Sequence, residues 1–210
     1  AVPQEDFVKV LAARLDLEKY KATIKGLTEF GDRREGTENN RKAVDWIQKQ
    51  LESYRCFTDR IRYGAPQGPR EQVFCTKVGT TASEEMYIIG AHMDGQGGGE
   101  GADDNASGTA VVMELARVFS MPDVQTQRSI RFVLWNSSET GNQGVRAYIQ
   151  QRMDMQGKED YPGSGNYPEG RWMGPIEHDM LMWDQGVSGA DGSVSTDQRS
   201  GADVNIQYPS

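Results

Sequence analysis

After residue 85, short apolar runs alternate with segments of helical character, and few folds accommodate this alternation. Residues 86–91 are an apolar run of strand length, and residues 130–135 are apolar except for Arg131, which predicts two buried, central strands. Between them, residues 107–119 are apolar on nearly every side, as expected for a helix buried against a sheet. Strands that alternate with helices indicate a parallel sheet covered by helices. We therefore expect an α/β fold, a three-layer α/β/α sandwich with a mixed, mostly parallel sheet.

The segment before residue 85 predicts an amphipathic helix followed by a hairpin. Apolar residues recur at intervals of three and four over residues 39–54, which predicts a helix with one buried face and Thr37 as its N-cap. Residues 57–63, 72–78 and 86–91 predict a meander of three strands, the first two antiparallel at the sheet edge.

The two cysteines, Cys56 and Cys75, each fall within this predicted hairpin. Opposed residues of a hairpin lie close enough for a disulfide. Two buried thiols that pack as small apolar groups are the alternative.

The C-terminal part predicts less regular structure. Residues 144–152 predict a short helix, and a long loop rich in polar residues, glycine and proline then ends near Glu177. Residues 180–183 predict a last clear strand, and residues 204–208 predict the start of one more.

Composition limits the classes of function. A chain of 210 residues suits one domain, so residues 1–210 are expected to form a single domain. The formal charge of -8 and the scattered basic residues argue against nucleic acid as a partner, and no apolar run is long enough for a membrane span. The first residue is Ala1, as signal-peptide cleavage would leave it, which favours a secreted, extracellular or periplasmic location.

Polar residues follow the predicted strands at the ends where ligands of open α/β sheets bind. His92 and Asp94 follow the first strand, Asp104 precedes the apolar helix, Glu139 follows the next strand, and Asp184 follows the last one. Each has an ordinary explanation: a structural His-x-Asp pair, a helix cap or a loop acid. Together, one imidazole and three carboxylates form a nitrogen and oxygen ligand set that fits Zn²⁺.

These residues stand in recognisable motifs, which cover about residues 37–190. The runs are Gly-Ala-His-Met-Asp at 90–94, Gly-Ala-Asp-Asp-Asn-Ala-Ser-Gly at 101–108, and Glu139 with Gly141 after a strand. In this order they resemble the di-zinc aminopeptidase family, which includes bacterial leucyl aminopeptidases and, more distantly, glutamate carboxypeptidases. The resemblance implies a phosphorylase/hydrolase-like zinc peptidase fold that hydrolyses N-terminal peptide bonds with a metal-activated water.

The resemblance also implies residue roles and up to two zinc ions. Asp104 would bridge the two ions, His92 and Asp184 would complete the first site, Glu139 would belong to the second, and Asp94 would orient His92. A cis peptide bond between Asp104 and Asn105 is implied as well.

Two departures from the family pattern predict impaired catalysis. Ser138 stands where the family has its general-base Glu, and a neutral hydroxyl cannot take up the proton. A histidine ligand of the second site is also missing, because His178 is expected at the far end of the last strand as a packing or surface residue. The first zinc site would be complete and the second incomplete.

Two interpretations stay open. In the first, the chain is a fragment of a zinc-dependent aminopeptidase that acts on a peptide or protein substrate, and the C-terminal part of the family domain is absent. In the second, it is a degenerate relative, a pseudoenzyme with a binding or assembly role. A strand at residues 204–208 would leave a sheet edge for a missing segment or for self-association.

Overall fold

The computed structural model describes residues 4–64, 68 and 70–182. Within these ranges the chain forms five α-helices and a five-stranded sheet. The helices are α1 (Gln4–Ala12), α2 (Leu17–Thr28), α3 (Glu38–Ser53), α4 (Gly108–Phe119) and α5 (Gln143–Arg152). The strands are β1 (Phe57–Tyr63), β2 (Arg70–Lys77), β3 (Ala82–His92), β4 (Arg128–Trp135) and β5 (Arg171–Glu177).

The sheet is mixed, in the order β1-β2-β4-β3-β5. β1 pairs with β2 and β2 with β4 in antiparallel fashion, whereas β3 is parallel to both β4 and β5. The mixed sheet and its antiparallel edge hairpin are confirmed. The predicted meander is wrong in its third strand, because β4 lies between β2 and β3. The crossover through α4 connects β3 to β4 and places these two parallel strands side by side.

Helices cover both faces of this sheet, which confirms the three-layer sandwich. Helices α2, α3 and α4 contribute buried residues to the core on one face, and α5 contributes to a second core on the other. α3 shows how the local sequence produces this arrangement. The hydroxyl of Thr37 accepts a hydrogen bond from the backbone amide of Asn40 (3.1 Å), which caps the helix. Ala43, Ile47 and Leu51, on one face of α3, are fully buried.

Cys56 and Cys75 form a disulfide. Cys75 lies in β2 opposite Thr58, and Cys56 directly precedes β1. The bridge therefore ties the start of the hairpin to its partner strand, and the alternative of two free thiols is wrong.

The predicted strand at residues 180–183 is wrong over its described part, since Leu181 and Met182 lie in a turn. The strand lies earlier, at Arg171–Glu177, inside the segment predicted as loop. Gly174 and Pro175 explain the error, because proline is confined to edge strands and both residues usually interrupt strands. β5 is indeed an edge strand of the described sheet, next to β3.

Trp183, Asp184 and the predicted strand at residues 204–208 lie outside the described residues. Within the described part of the chain, no helix combines the length and apolar character that a membrane span requires. The assignment of residues 1–210 to one domain stays a prediction.

Candidate metal centre

One imidazole and three carboxylates meet at the carboxyl ends of the three parallel strands, β3, β4 and β5. His92 is the last residue of β3, Glu139 follows β4, and Asp179 follows β5. Asp104 comes from the turn that leads into α4. Because parallel strands end at the same edge of a sheet, residues far apart in sequence become neighbours there.

The imidazole of His92 is the centre of this group. Its Nε2 atom lies 3.2 Å from Oδ1 of Asp104, 3.4 Å from Oδ1 of Asp179 and 3.9 Å from Oε1 of Glu139. Ligand atoms of His92, Asp104 and Glu139 lie within 4.8 Å of one another. One imidazole nitrogen and three carboxylate oxygens that converge in this way are a suitable donor set for Zn²⁺.

Asp94 connects two of the ligand-bearing loops and is fully buried. Its carboxylate accepts hydrogen bonds from the backbone amides of Ser138 (3.2 Å) and Glu139 (3.1 Å). Its Oδ1 also lies 3.5 Å from Nδ1 of His92, on the ring edge opposite Nε2. A carboxylate at this position can hold the ring with Nε2 free for a metal. The orienting role predicted for Asp94 is compatible with this geometry.

Asp104, rather than its neighbour Asp103, faces His92. The turn at Ala102–Ser107 has non-helical backbone at Asp104 and Asn105, and the peptide bond between these two residues is cis, as the resemblance implied. Asp103 points elsewhere, because its carboxylate accepts a hydrogen bond from the backbone amide of Met182 (2.8 Å). Asp104 also accepts one from the side chain of Gln96 (2.7 Å).

Sequence reasoning missed Asp179, whose carboxylate lies beside Nε2 of His92. Asp184, predicted as the ligand that follows a strand at residues 180–183, lies outside the described residues, so its ligand role stays a prediction. Asp179 follows the real strand, β5, by two residues. The signal was present in the aromatic and branched residues Trp172 and Ile176, but Gly174 and Pro175 between them concealed it.

His178 was expected at the far end of the last strand, and this expectation is wrong. It directly follows β5, at the same end of the sheet as His92, because β5 ends at Glu177. Its backbone amide donates to the carbonyl of Gly90 (2.9 Å), and its own carbonyl accepts from the side chain of Asn105 (2.9 Å). Burial lowers the pKa of its imidazole. His178 thus supports the loops of the site without joining the ligand group.

The carboxylates determine the protonation of the site. Burial alone would lower the pKa of His92, but the hydrogen bond and charge of Asp94 and the charges of Asp179 and Asp104 raise that pKa to about 9. Burial, together with the charge of Asp104, raises the pKa of Glu139. In the absence of a cation, a proton on His92 therefore balances part of the negative charge.

A cavity of about 400 Å³ opens beside His92, Ser138 and Asp179. Its walls are mostly apolar and aromatic, formed by residues that include Ile88, Trp135, Val145, Tyr148 and Trp172.

The carboxylate of Glu177 also lines this cavity, and sequence reasoning missed it too. Both of its oxygens lie close to Nε1 of Trp135, at 3.0 and 3.1 Å. Although part of its side chain stays exposed, desolvation of the carboxylate raises the pKa of Glu177 to about 7. Gly90 leaves room for it, because a Cβ there would lie 2.5 Å from the nearer carboxylate oxygen.

The fold and the donor set define the class of protein: an α/β sandwich with the architecture of a metallopeptidase. Comparisons with known proteins narrow the class. Residues 73–160 match the model of Peptidase family M28. Leucine aminopeptidase 1 of Metarhizium robertsii is 30% identical over 162 residues, which cover 70% of this chain and 41% of that protein.

Two solved structures share the fold. The LapA aminopeptidase of Legionella pneumophila has a TM-score of 0.69 at 18% identity, over 86% of this chain and 47% of that one. A glutaminyl cyclase of Porphyromonas gingivalis has a TM-score of 0.60 at 19% identity, over 80% and 62%.

These findings confirm the resemblance to the zinc aminopeptidases: residues 73–160 match Peptidase family M28, and the similar proteins include leucine aminopeptidases. The chain spans less than half the length of the curated relatives it matches.

Proposed function

We propose that this chain carries the zinc-binding part of an aminopeptidase-type exopeptidase. The observation that carries the proposal is the convergence of Asp104, Glu139 and Asp179 on Nε2 of His92. Carboxylates gathered this closely repel one another unless a cation lies among them.

The residues fit the metal that the family implies. His92, Asp104 and Asp179 would hold one zinc ion, and Asp104 and Glu139 would share in holding a second. When bound, zinc supplies Lewis-acid polarisation of a carbonyl group and lowers the pKa of water. Asp94 would keep the ring of His92 and the backbone of Glu139 in place, through the contacts described above.

The apolar cavity beside the ligands would receive part of a peptide substrate. Its aromatic walls would exclude water from one side of the reacting groups, and its opening would place a bound peptide next to Ser138 and Asp179.

Ser138 is the reason to expect slow turnover. Among the described residues, no hydrogen bond joins its hydroxyl to a carboxylate that would activate it, and its backbone amide is the group that contacts Asp94. A missing general base typically costs about 10²- to 10⁴-fold in rate. The same observation favours a second candidate function, a non-catalytic binding or assembly protein that retains the metal.

The test combines metal analysis with a release assay. The wild type, Ser138→Glu and the control Ser164→Glu, which adds the same charge in a remote loop, are compared on amino-acid anilides. Turnover that a chelator abolishes and that Ser138→Glu increases would support the peptidase. Zinc binding with no turnover in any variant would favour the second function, and absence of zinc binding at neutral pH would refute both.

An extracellular or periplasmic location is part of the proposal. The Cys56–Cys75 disulfide supports it, because such bonds persist in oxidising compartments and are rare in the cytosol. Cell fractionation that finds the protein only in the cytosol, with both thiols reduced, would contradict it.

A further inference from the structure

Arg33 is buried in an unusual environment between α2 and α3. Its side chain is almost completely enclosed, with 1% of the residue exposed. Within the described part of the chain, no carboxylate forms an ion pair with it. Its guanidinium instead donates four hydrogen bonds to backbone carbonyls. Burial of an arginine without a paired acid is costly, so the contacts that retain it call for an explanation.

The carbonyls that Arg33 contacts belong to the segments that carry the ligands. Nε donates to the carbonyl of Met93 (3.0 Å), the residue between His92 and Asp94. The two terminal nitrogens donate to the carbonyls of Glu100 (2.6 Å) and Gly101 (2.9 Å), just before the turn that presents Asp104. A further bond to the carbonyl of Leu27 (3.1 Å) anchors the guanidinium to α2.

The network continues to the loop that carries Glu139. The backbone carbonyl of Arg33 accepts a hydrogen bond from the side-chain amide of Asn40 (2.9 Å). Asn40 and Asn136 exchange two amide hydrogen bonds, at 3.0 and 2.9 Å, and both are buried. Asn136 is the first residue after β4 and leads directly into Ser138 and Glu139.

Arginine is the side chain that suits this junction. Its planar group offers five N–H donors in fixed directions, and four of them are used on three separate segments. A lysine could keep the charge, but its single nitrogen cannot reach the carbonyls of all three segments. Desolvation lowers the pKa of Arg33. The charges of Asp32, Asp94 and Asp104 act on the guanidinium from a distance and offset part of this effect.

We propose that Arg33, through Asn40 and Asn136, is a positioning residue that fixes the spacing of the metal-ligand loops. This inference rests on the proposed metal-binding function. It assigns to Arg33 no contact with substrate or metal; the residue acts through the backbone directly after His92 and before Asp104.

The experiment compares Arg33→Lys with Arg131→Lys in the full chain. Arg131 is a matched control, because it is also buried, at 3% exposure, but it bonds to Glu169 and Tyr148 on the other face of the sheet. Both changes keep the charge and should lower the Tm of the metal-free protein. Only Arg33→Lys should weaken Co²⁺ binding, by about tenfold or more in a chelator competition assay, and alter the visible spectrum of bound Co²⁺.

A metal-free measurement separates this inference from the proposed function. The chain has two histidines, so the imidazole signals of His92 can be assigned readily by NMR. Arg33→Lys should shift them in the absence of metal, and Arg131→Lys should not. Asn40→Ala serves as a second variant if Arg33→Lys does not fold, and it should weaken Co²⁺ binding in the same direction.

Equal loss of Co²⁺ affinity in Arg33→Lys and Arg131→Lys would overturn the inference, since general destabilisation would then explain both. Unchanged His92 signals, affinity and spectrum in Arg33→Lys would also overturn it. If the wild type binds no Co²⁺ or Zn²⁺ but the His92 signals respond only to Arg33→Lys, the proposed metal function fails while the positioning role is supported.

Discussion

Metal binding by this chain should compete with a proton on His92, and the structure sets the size of the effect. The pKa of His92 in the metal-free protein is about 9, because the charges of nearby carboxylates outweigh the burial of the ring. A metal ion must displace this proton from Nε2. At pH 7 the apparent affinity should be about 100-fold below its limiting value at high pH, since the pKa lies two units above that pH.

The measurement is a chelator competition titration with Zn²⁺ between about pH 6.5 and pH 8.5, with buffers that do not bind metal. The apparent affinity should rise by about tenfold per pH unit over this window. Asp94→Asn should lower the pKa of His92 and move the rise to lower pH, because Asp94 makes the largest contribution that raises this pKa. An affinity that is independent of pH in this window, with a His92 pKa near 6.5 by NMR, would refute the reasoning.

The same proton affects the stability of the metal-free protein. The folded-state pKa of His92 exceeds its ordinary value of 6.5, so protonation favours the fold. This contribution, about 3 kcal/mol, is fully present below pH 6.5 and is lost as the pH rises through 9. Thermal unfolding of the metal-free protein should therefore shift to lower temperature over this range, and less so with Zn²⁺ bound.

Three further predictions concern particular residues. Asp179→Asn should lower Zn²⁺ affinity by about tenfold or more in a binding titration; unchanged affinity in this variant, together with a loss of affinity in Asp184→Asn, would assign the ligand role to Asp184 instead. Replacing Cys56 and Cys75 by alanine should cost about 3 kcal/mol of unfolding free energy, since the bridge closes a loop of 19 residues, and denaturant titration checks this. Ser138→Glu should raise kcat by about 100-fold or more with little change in Zn²⁺ affinity; equal rates in both forms would contradict the assignment of Ser138 to the base position.

The elements that local patterns specify were predicted well. β1 matches its predicted range, 57–63, and the helix predicted at residues 39–54 differs from α3 by one residue at each end. Apolar periodicity and the cap at Thr37 are properties of neighbouring residues, so the sequence displays them directly. Three of the four predicted ligands, His92, Asp104 and Glu139, lie together in the structure for a related reason: they follow strands or precede a helix that local patterns identified.

Arg33 shows what local reasoning could not find. In the sequence it stands in a charged loop, between Asp32 and Arg34, and nothing distinguishes it from a solvated surface residue. It becomes buried only because α2, β3 and the loop before Asp104 pack around it. Glu177 is comparable, because its carboxylate gains its environment from Trp135 on another strand.

The amino-acid sequence by itself determined the class of the fold, most strand and helix positions, and the residue types that gather at the site. Periodicity and capping operate over a few residues, and the motifs that indicate metal chemistry are short. Only the tertiary structure decided that β4 lies between β2 and β3, that Asp179 joins His92, and that Arg33 reaches the ligand loops. Those outcomes depend on which distant segments bury one another best, and sequence periodicity carries no record of that choice.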